Sequence, residues 1–255
     1  MIRSVLAATL LITASASYGA TTYRVTTTIK DRLKRMPVVE RVIADGDNRR
    51  LTVEQQDEPF THDVLLSSDG GKTVVALNTP LRTWFDAAVL PPSTKSLAPR
   101  RGSEVKDAKV TVSEEPTEPI GGLPVRKYVI RASFIALENY GGTKVNRDNS
   151  MTTLIWTTDK IDGALAFPKL QVTIGVSALD AELRQKIAAV TGFPLREVTT
   201  YSQAYEGGAP TSEIITIDVD DIRTVPSPAA AQFTKPSGYL NQAPVMGGPG
   251  APVIR

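Results

Sequence analysis

The chain has no cysteine, a single histidine and, after its first twenty residues, no long apolar run. Without cysteine it forms no disulfide, and no lipid can be attached to a cysteine behind a leader peptide. His62 alone cannot provide the ligands of a conventional zinc site, and a Ser-His-Asp nucleophile would depend on the same residue. Lysine and arginine number 29 against 27 acidic residues, a net charge of +2. This balance does not predict a protein that binds nucleic acid or an anionic membrane surface.

The first twenty residues have the pattern of a secretory signal peptide. Arg3 provides the positive charge, Val5–Ile12 a short apolar segment, and Ala14-Ser15-Ala16 a cleavage site, with cleavage a few residues later also fitting. The apolar segment is much shorter than the roughly 20 residues of a membrane-spanning helix. We therefore expect residues 1–20 to be removed and the mature protein to be periplasmic or secreted. The alternative is a buried N-terminal strand.

Most of the remaining sequence alternates between apolar and polar residues, as β-strands do. One face of the first such segment carries Tyr23, Val25, Thr27 and Ile29. A meander of short strands follows, with a hairpin turn at Gly70-Gly71. The segments Val125–Glu138 and Val145–Asp159 are predicted to be two long strands that span roughly 40 Å each and therefore curve. A last hairpin is predicted around Gly207-Gly208.

One segment has helical periodicity and is predicted to form a helix over Ala178–Thr191. Its apolar stripe consists of Leu179, Leu183, Ile187 and Val190. Ser177 and Asp180 have the spacing of a capping box at the start, and Gly192, followed by Pro194, is predicted to end the helix. A helix with a single apolar stripe can cover the apolar face of a one-sided antiparallel sheet.

The sequence therefore predicts an α+β fold dominated by β-structure: a curved antiparallel half-barrel sheet with one or two helices on its concave face. The half-barrel domain is expected over residues 21–225. Residues 90–122 are rich in proline and charge and are expected to be irregular, with one strand at Lys109–Glu115. Residues 226–255 are rich in proline and glycine, which predicts an extended or disordered C-terminal extension.

The order of these elements resembles a known family. The resemblance is carried by a long hairpin ending in IWTTDKI (Ile155–Ile161), a helix ending in GFPL (Gly192–Leu195), and FTKPSGYL (Phe233–Leu240) after a last hairpin. Over Tyr23–Leu240 the arrangement is similar to an uncharacterised branch of the LolA/LolB-like lipoprotein-localisation half-barrels. The resemblance implies a curved sheet wrapped round helices, with an apolar hollow that in the carrier proteins receives the acyl chains of lipoproteins.

Large apolar side chains are the main candidates for a functional site. We expect aromatic residues of the strands, together with the helix stripe, to line an apolar hollow that binds a lipid or acyl chain, because binding pockets are concave and mostly apolar. The candidates are Trp84, Tyr128, Phe134, Trp156, Leu183 and Ile187, with Phe85 and Phe167 as further members. The alternative is that these residues form an ordinary core at native packing density.

Polar residues are weaker candidates for a functional site than the apolar ones. The acidic segment at 218–222 lacks the spacing of a calcium loop and is interpreted as a solvated strand edge. Asp159 and Asp162 form a carboxylate pair of the kind that acid–base chemistry uses, although a polar loop is the simpler interpretation. Arg49-Arg50 and Arg100-Arg101 are expected to be solvated, with an anionic lipid headgroup or an acidic protein as the alternative partner. No cofactor and no metal site is predicted.

Three hypotheses for function follow from these patterns. The favoured one is an exported, non-catalytic binding protein for a lipid or other apolar ligand, which requires an unfilled apolar hollow. The alternative is a structural or protein-interaction module of the cell envelope, which requires a filled core and a stable partner. An enzyme is least favoured, because it would need a carboxylate pair with a raised pKa inside the hollow.

Overall fold

The computed structural model describes residues 19–30, 35–56, 62–87, 97, 99, 102–167 and 174–242. Almost all of the predicted signal peptide, and Arg100-Arg101, lie outside these residues. The strands are β1 (Ala20–Lys30), β2 (Val38–Asp45), β3 (Asn48–Gln55), β4 (Val64–Ser67), β5 (Val75–Asn78), β6 (Thr83–Asp86), β7 (Glu104–Glu115), β8 (Arg126–Tyr140), β9 (Thr143–Thr158), β10 (Phe193–Tyr205), β11 (Thr211–Val225) and β12 (Leu240–Asn241). The helix α1 is Ser177–Ile187, and short 3-10 turns lie at Gly163–Leu165 and Ala230–Phe233.

All twelve of these strands belong to one open, curved sheet, in the order β12-β6-β5-β4-β3-β2-β1-β11-β10-β9-β8-β7. Neighbouring strands run antiparallel, except that β12 is parallel to β6. The strands β8 and β9 pair along their whole length around Gly141-Gly142, as predicted. The predicted β-dominated half-barrel is confirmed. The segment expected to be mostly irregular contains a longer strand than predicted, because β7 begins at Glu104 and continues through an irregularity at Asp107, whose φ is 51°.

Two apolar clusters occupy the interior face of the sheet, because alternate side chains of each strand point to that face. The helix-side cluster lies between α1 and strands β7 to β11 and includes Ile130, Ile155, Ile174 and Leu183, all fully buried. The turn-side cluster lies against strands β1 to β6 and includes Tyr23, Val42, Leu51 and Phe193. In the turn-side cluster the rings of Tyr23 and Phe193 meet edge to face, with 5.2 Å between their centroids.

Helix α1 begins near its predicted start, but its cap is different. The N-cap is Val176, which makes no side-chain hydrogen bond, so the predicted capping box is wrong. Asp180 instead accepts hydrogen bonds from the backbone N–H groups of Ile174 (2.7 Å) and Gly175 (3.1 Å), which lie before the helix. An acidic side chain in the first turn also interacts favourably with the helix dipole. Among the described residues, no helix has both the length and the apolar character needed to cross a membrane.

The end of α1 also differs from the prediction. The helix stops at Ile187 and its C-cap is Ala188, which has right-handed helical geometry. Gly192 is therefore not the C-cap. It has a φ of 91° and turns the chain into β10, where it lies against Gly163 and Thr158.

The loop after β9 is fixed to the turn-side cluster by two buried polar side chains. The Tyr23 hydroxyl donates to the carbonyl of Leu165 (2.9 Å) and accepts from the N–H of Phe167 (2.8 Å). The Arg49 guanidinium, 2% exposed, donates to the carbonyl of Ala164 (2.7 Å) and to carbonyls of the β2–β3 turn. The expectation that Arg49 is solvated is therefore wrong. Carbonyl oxygens replace the lost hydration of its two terminal nitrogens, whereas its buried Nε–H has no partner among the described residues.

Residues 226–242 of the C-terminal extension, which include the 3-10 turn at Ala230–Phe233, pack on the outer face of β3 to β6. Phe233 is buried, and the carbonyl of Gln232 accepts a hydrogen bond from Arg50 (2.9 Å). Tyr239 joins an outer cluster formed by the outward-facing residues of β4, β5 and β6. The strand β12 then pairs with β6 through Leu240 and Asn241. The extension thus covers apolar surface that a meander of short strands leaves on its outer side.

Candidate functional site

The structure brings four of the six predicted ligand-lining residues together. Tyr128, Phe134 and Leu183 belong to the helix-side cluster, and Ile187 packs against it. Trp84 and Trp156 do not join them, because each tryptophan lies on the outer face. Trp84 belongs to the outer cluster, with the Lys235 ammonium 3.8 Å from its ring centre. The indole N–H of Trp156 donates to the Thr117 hydroxyl (3.1 Å). Of the two further candidates, both Phe85 and Phe167 lie in the turn-side cluster.

The helix-side cluster has the character of a packed core. Tyr128, Phe134 and Leu183 are 5%, 2% and 0% exposed. A groove of about 350 Å³ passes close to Phe134, but most of its lining residues lie on the outer face of the sheet, where alternation along the strands directs them. This lining includes Ser133, Ser150, Ser202 and Asp148. The groove is therefore not the apolar hollow expected between helix and sheet.

A half-buried strip crosses the interior face where the two apolar clusters meet. One row of paired residues runs across four strands: Glu197 on β10, Ile217 on β11, Thr27 on β1 and Val38 on β2. Glu40, two residues along β2 from Val38, pairs with Val25 and completes this central strip. All five residues of the central strip are half-buried, and Ile217 contacts both clusters.

The central strip is half-buried, and among the described residues the two covers lie on either side of it. Within the described part of the chain, α1 packs beside β7 and closes only the far half of the concave face. The loop held by Tyr23 and Arg49 closes the other half. Between these covers the strip keeps apolar side chains accessible beside two carboxyl groups.

Glu40 is the most perturbed ionisable group of the central strip. Burial raises its pKa to about 7, because an apolar surrounding disfavours the charged carboxylate. Its carboxyl makes no hydrogen bond or ion pair with any described residue. The neighbouring arginines of the sheet, Arg24 and Arg41, point to the outer face and pair there with acidic residues of β3 and β11. The Glu40 charge also contributes to the raised pKa of Tyr23, which places the two groups near each other.

Glu197, unlike Glu40, has a hydrogen-bond partner among the described residues. Burial raises its pKa, and a hydrogen bond from the Thr199 hydroxyl (2.9 Å) partly opposes that rise. The Thr199 hydroxyl is also 2.8 Å from that of Thr153 on the next strand. Glu197 and Glu40 lie three strands apart, about 14 Å along the sheet at the usual strand spacing, so they do not form a catalytic pair.

The sequence analysis missed both carboxyl groups, although the pattern contained a signal for each. In VVERVIAD, Glu40 has the same parity as the inward-facing Val42 and Ala44. In FPLREVTTY, Glu197 has the same parity as Leu195 and Tyr201. A glutamate at an inward position of an alternating strand breaks the pattern, and such breaks often mark functional positions.

The other polar candidates have structural partners. Asp218 pairs with Arg196 (2.8 Å) on the outer face of the sheet, Asp220 pairs with Arg24 on β1, and Asp221 pairs with Arg41 on β2. Asp159 pairs with Arg126, and Asp162 caps the 3-10 turn that follows it. Within the residues described, no three histidine or acidic side chains lie close enough to hold a metal ion.

No family model, no curated protein and no solved structure matches the chain. The likeness to the lipoprotein-localisation half-barrels therefore stays a prediction from the sequence motifs.

Proposed function

We propose that this chain is an exported, non-catalytic binding protein that holds an apolar or amphipathic ligand, such as an acyl chain, along the central strip. The observation that carries the proposal is the half-buried row of Glu197, Ile217, Thr27 and Val38 between two buried apolar clusters. Apolar surface that stays accessible on the concave side of an open sheet is a favourable place for an elongated apolar ligand. The signal-peptide pattern of residues 1–20 supports export.

The site differs from the one expected from sequence. The helix-side cluster is filled, so the ligand would lie beside α1 instead of beneath it. Ile217 would be central to such a site, because it contacts both clusters and faces the strip. Burial of Ile217 against an acyl chain would contribute roughly 25 cal/mol to the free energy of binding for each square ångström of apolar surface removed from water.

Native mass spectrometry of protein recovered from its export compartment tests the proposal, followed by solvent extraction of any bound molecule. We expect a discrete adduct that contains an acyl chain. Ile217→Asn should lose the adduct, whereas the matched variant Ile214→Asn, on the outer face of the same strand, should keep it. A protein that is free of adduct in repeated preparations, and that binds no added fatty acid, would contradict the proposal.

The filled helix-side cluster supports a second candidate, a protein-interaction module. Its most accessible surface would be the backbone edge of β7, which ends the sheet on that side. The edge carries Glu104, Lys106 and Lys109 and an irregularity at Asp107, features that discourage pairing with another strand. Crosslinking in the cell envelope to a single protein through β7, without any bound lipid, would favour this candidate.

A further inference from the structure

The interior carboxyl groups indicate which head group the ligand carries. This inference rests on the proposed function. Glu40 faces the interior between Val38 and Val42, and its sheet neighbours are Val25 and Val53. Within the described part of the chain its carboxyl has no hydrogen-bond or ion-pair partner. Burial at this place disfavours the carboxylate form, and a cationic hydrogen-bond donor beside it would favour that form.

Among the described residues, the arginines of the surrounding strands make their contacts with other groups. Arg49 is held by three backbone carbonyls, and Arg24 and Arg41 are paired on the opposite face. The Tyr23 hydroxyl makes hydrogen bonds to the loop after β9. The remaining ionisable group of the central strip, Glu197, is an acid. Among the described residues no cation contacts the Glu40 carboxyl, and a cationic ligand would complement it.

We propose that Glu40 selects an amphiphile whose head group is a cation that donates hydrogen bonds, with its apolar tail lying along Val38, Thr27 and Ile217. An alkylammonium group provides both the charge and the N–H donors that the carboxylate lacks. An anionic head group would meet Glu40 and Glu197 as like charges. A metal ion is a poor alternative, because no three acidic or histidine side chains lie together among the residues described.

The net charge of the chain distinguishes a local preference for a cationic head group from non-specific electrostatic attraction. With a formal charge of +2, non-specific attraction would favour an anionic amphiphile over a cationic one. A preference for the cation would therefore have to arise from the local carboxyl groups.

Three probes with the same tail test the inference: dodecylammonium, dodecyl maltoside and dodecanoate, each titrated calorimetrically below its micelle-forming concentration. At about pH 8 we expect the cation to bind roughly tenfold to a hundredfold more tightly than the neutral probe, as one charge-assisted hydrogen bond would give. This preference should shrink at about pH 5, where Glu40 binds a proton. Glu40→Gln should abolish the preference while binding of the neutral probe continues. The matched control Glu54→Gln, on the outer face of β3, should retain it.

The outcomes separate this inference from the proposed function. If none of the probes binds the wild-type chain, the proposed function fails. If all three bind with similar affinity, if the anion binds most tightly, or if Glu40→Gln keeps the preference, the head-group inference is overturned and the proposed function stands. Circular dichroism of each variant establishes that the sheet is intact before the titrations are compared.

Discussion

At the scale of single residues, Glu40 makes the stability of the fold depend on pH. Its pKa is about 7 in the folded chain and near 4.5 in the unfolded one, so the folded chain binds the extra proton between these values. The contribution of Glu40 to stability is therefore largest below about pH 4.5 and is lost as the pH rises through about 7. Glu197 acts in the same direction, because burial raises its pKa too.

Glu40→Gln should remove most of this dependence. The amide keeps the shape of the side chain without its charge, so the variant should be more stable than wild type by up to about 3 kcal/mol at pH 8 and similar at pH 4. Urea denaturation across this pH range measures the difference. Parallel curves for the two proteins would show that Glu40 is solvated. A residue that lowers stability at neutral pH is expected at a binding site.

Tyr23 shows the opposite relation, in which a buried polar group stabilises the fold. Tyr23→Phe keeps the edge-to-face contact with Phe193 but leaves the Leu165 carbonyl and the Phe167 N–H without their partner. We expect a loss of about 1–3 kcal/mol in the free energy of unfolding, the usual cost of such buried groups. Tyr239→Phe is the control, with a change below about 0.5 kcal/mol, because that hydroxyl has no partner among the described residues. Equal losses would argue against the loop contact.

At the scale of secondary-structure elements, the passage from α1 to β10 depends on Gly192. Both Gly192 (φ 91°) and Gly207 (φ 72°) have left-handed geometry, so alanine is strained at either position. Only at Gly192 would a Cβ also meet protein atoms, 3.0 Å from the Thr158 carbonyl oxygen and 3.1 Å from the Thr157 hydroxyl. We expect Gly192→Ala to destabilise the chain by about 1–3 kcal/mol more than Gly207→Ala does. Similar losses in urea denaturation would mean that the backbone at Thr158 moves aside easily.

The elements also show where prediction from sequence succeeds and where it stops. Alternation predicted that Tyr128 and Phe134 share the interior face, and helical periodicity predicted that Leu183 joins them. The same reasoning misplaced Trp84 and Trp156, because each is adjacent to another large apolar residue, Phe85 or Ile155. Successive residues of a strand face opposite sides, so one member of each pair must point outward, and composition alone does not say which one.

For a related reason, the candidate site could not be predicted from local sequence patterns. The central strip exists because β1 lies between β2 and β11, strands separated by most of the chain. Glu40 and Glu197 come to one face only through this long-range pairing, and the extent of their burial depends on how far α1 reaches across the sheet.

At the scale of the whole molecule, the extension at 226–242 acts as a third cover, on the outer face. It is attached through buried Phe233, the Arg50 hydrogen bond and the pairing of β12 with β6. These contacts are with strands β3 to β6, so loss of the extension should open that part of the molecule before the rest.

Phe233→Ala tests this division of the molecule. Removing a buried aromatic ring costs about 3 kcal/mol or more, and the cost should fall on the extension and its neighbours. We expect amide hydrogen exchange to become faster in residues 226–242 and in β4 to β6, with β8 and β9 unchanged. The adjacent variant Gln232→Ala, at an exposed side chain whose backbone carbonyl remains, should exchange like wild type. Faster exchange along the whole sheet in Phe233→Ala would mean instead that the extension and the half-barrel unfold as one cooperative unit, so that the central strip also depends on this outer cover.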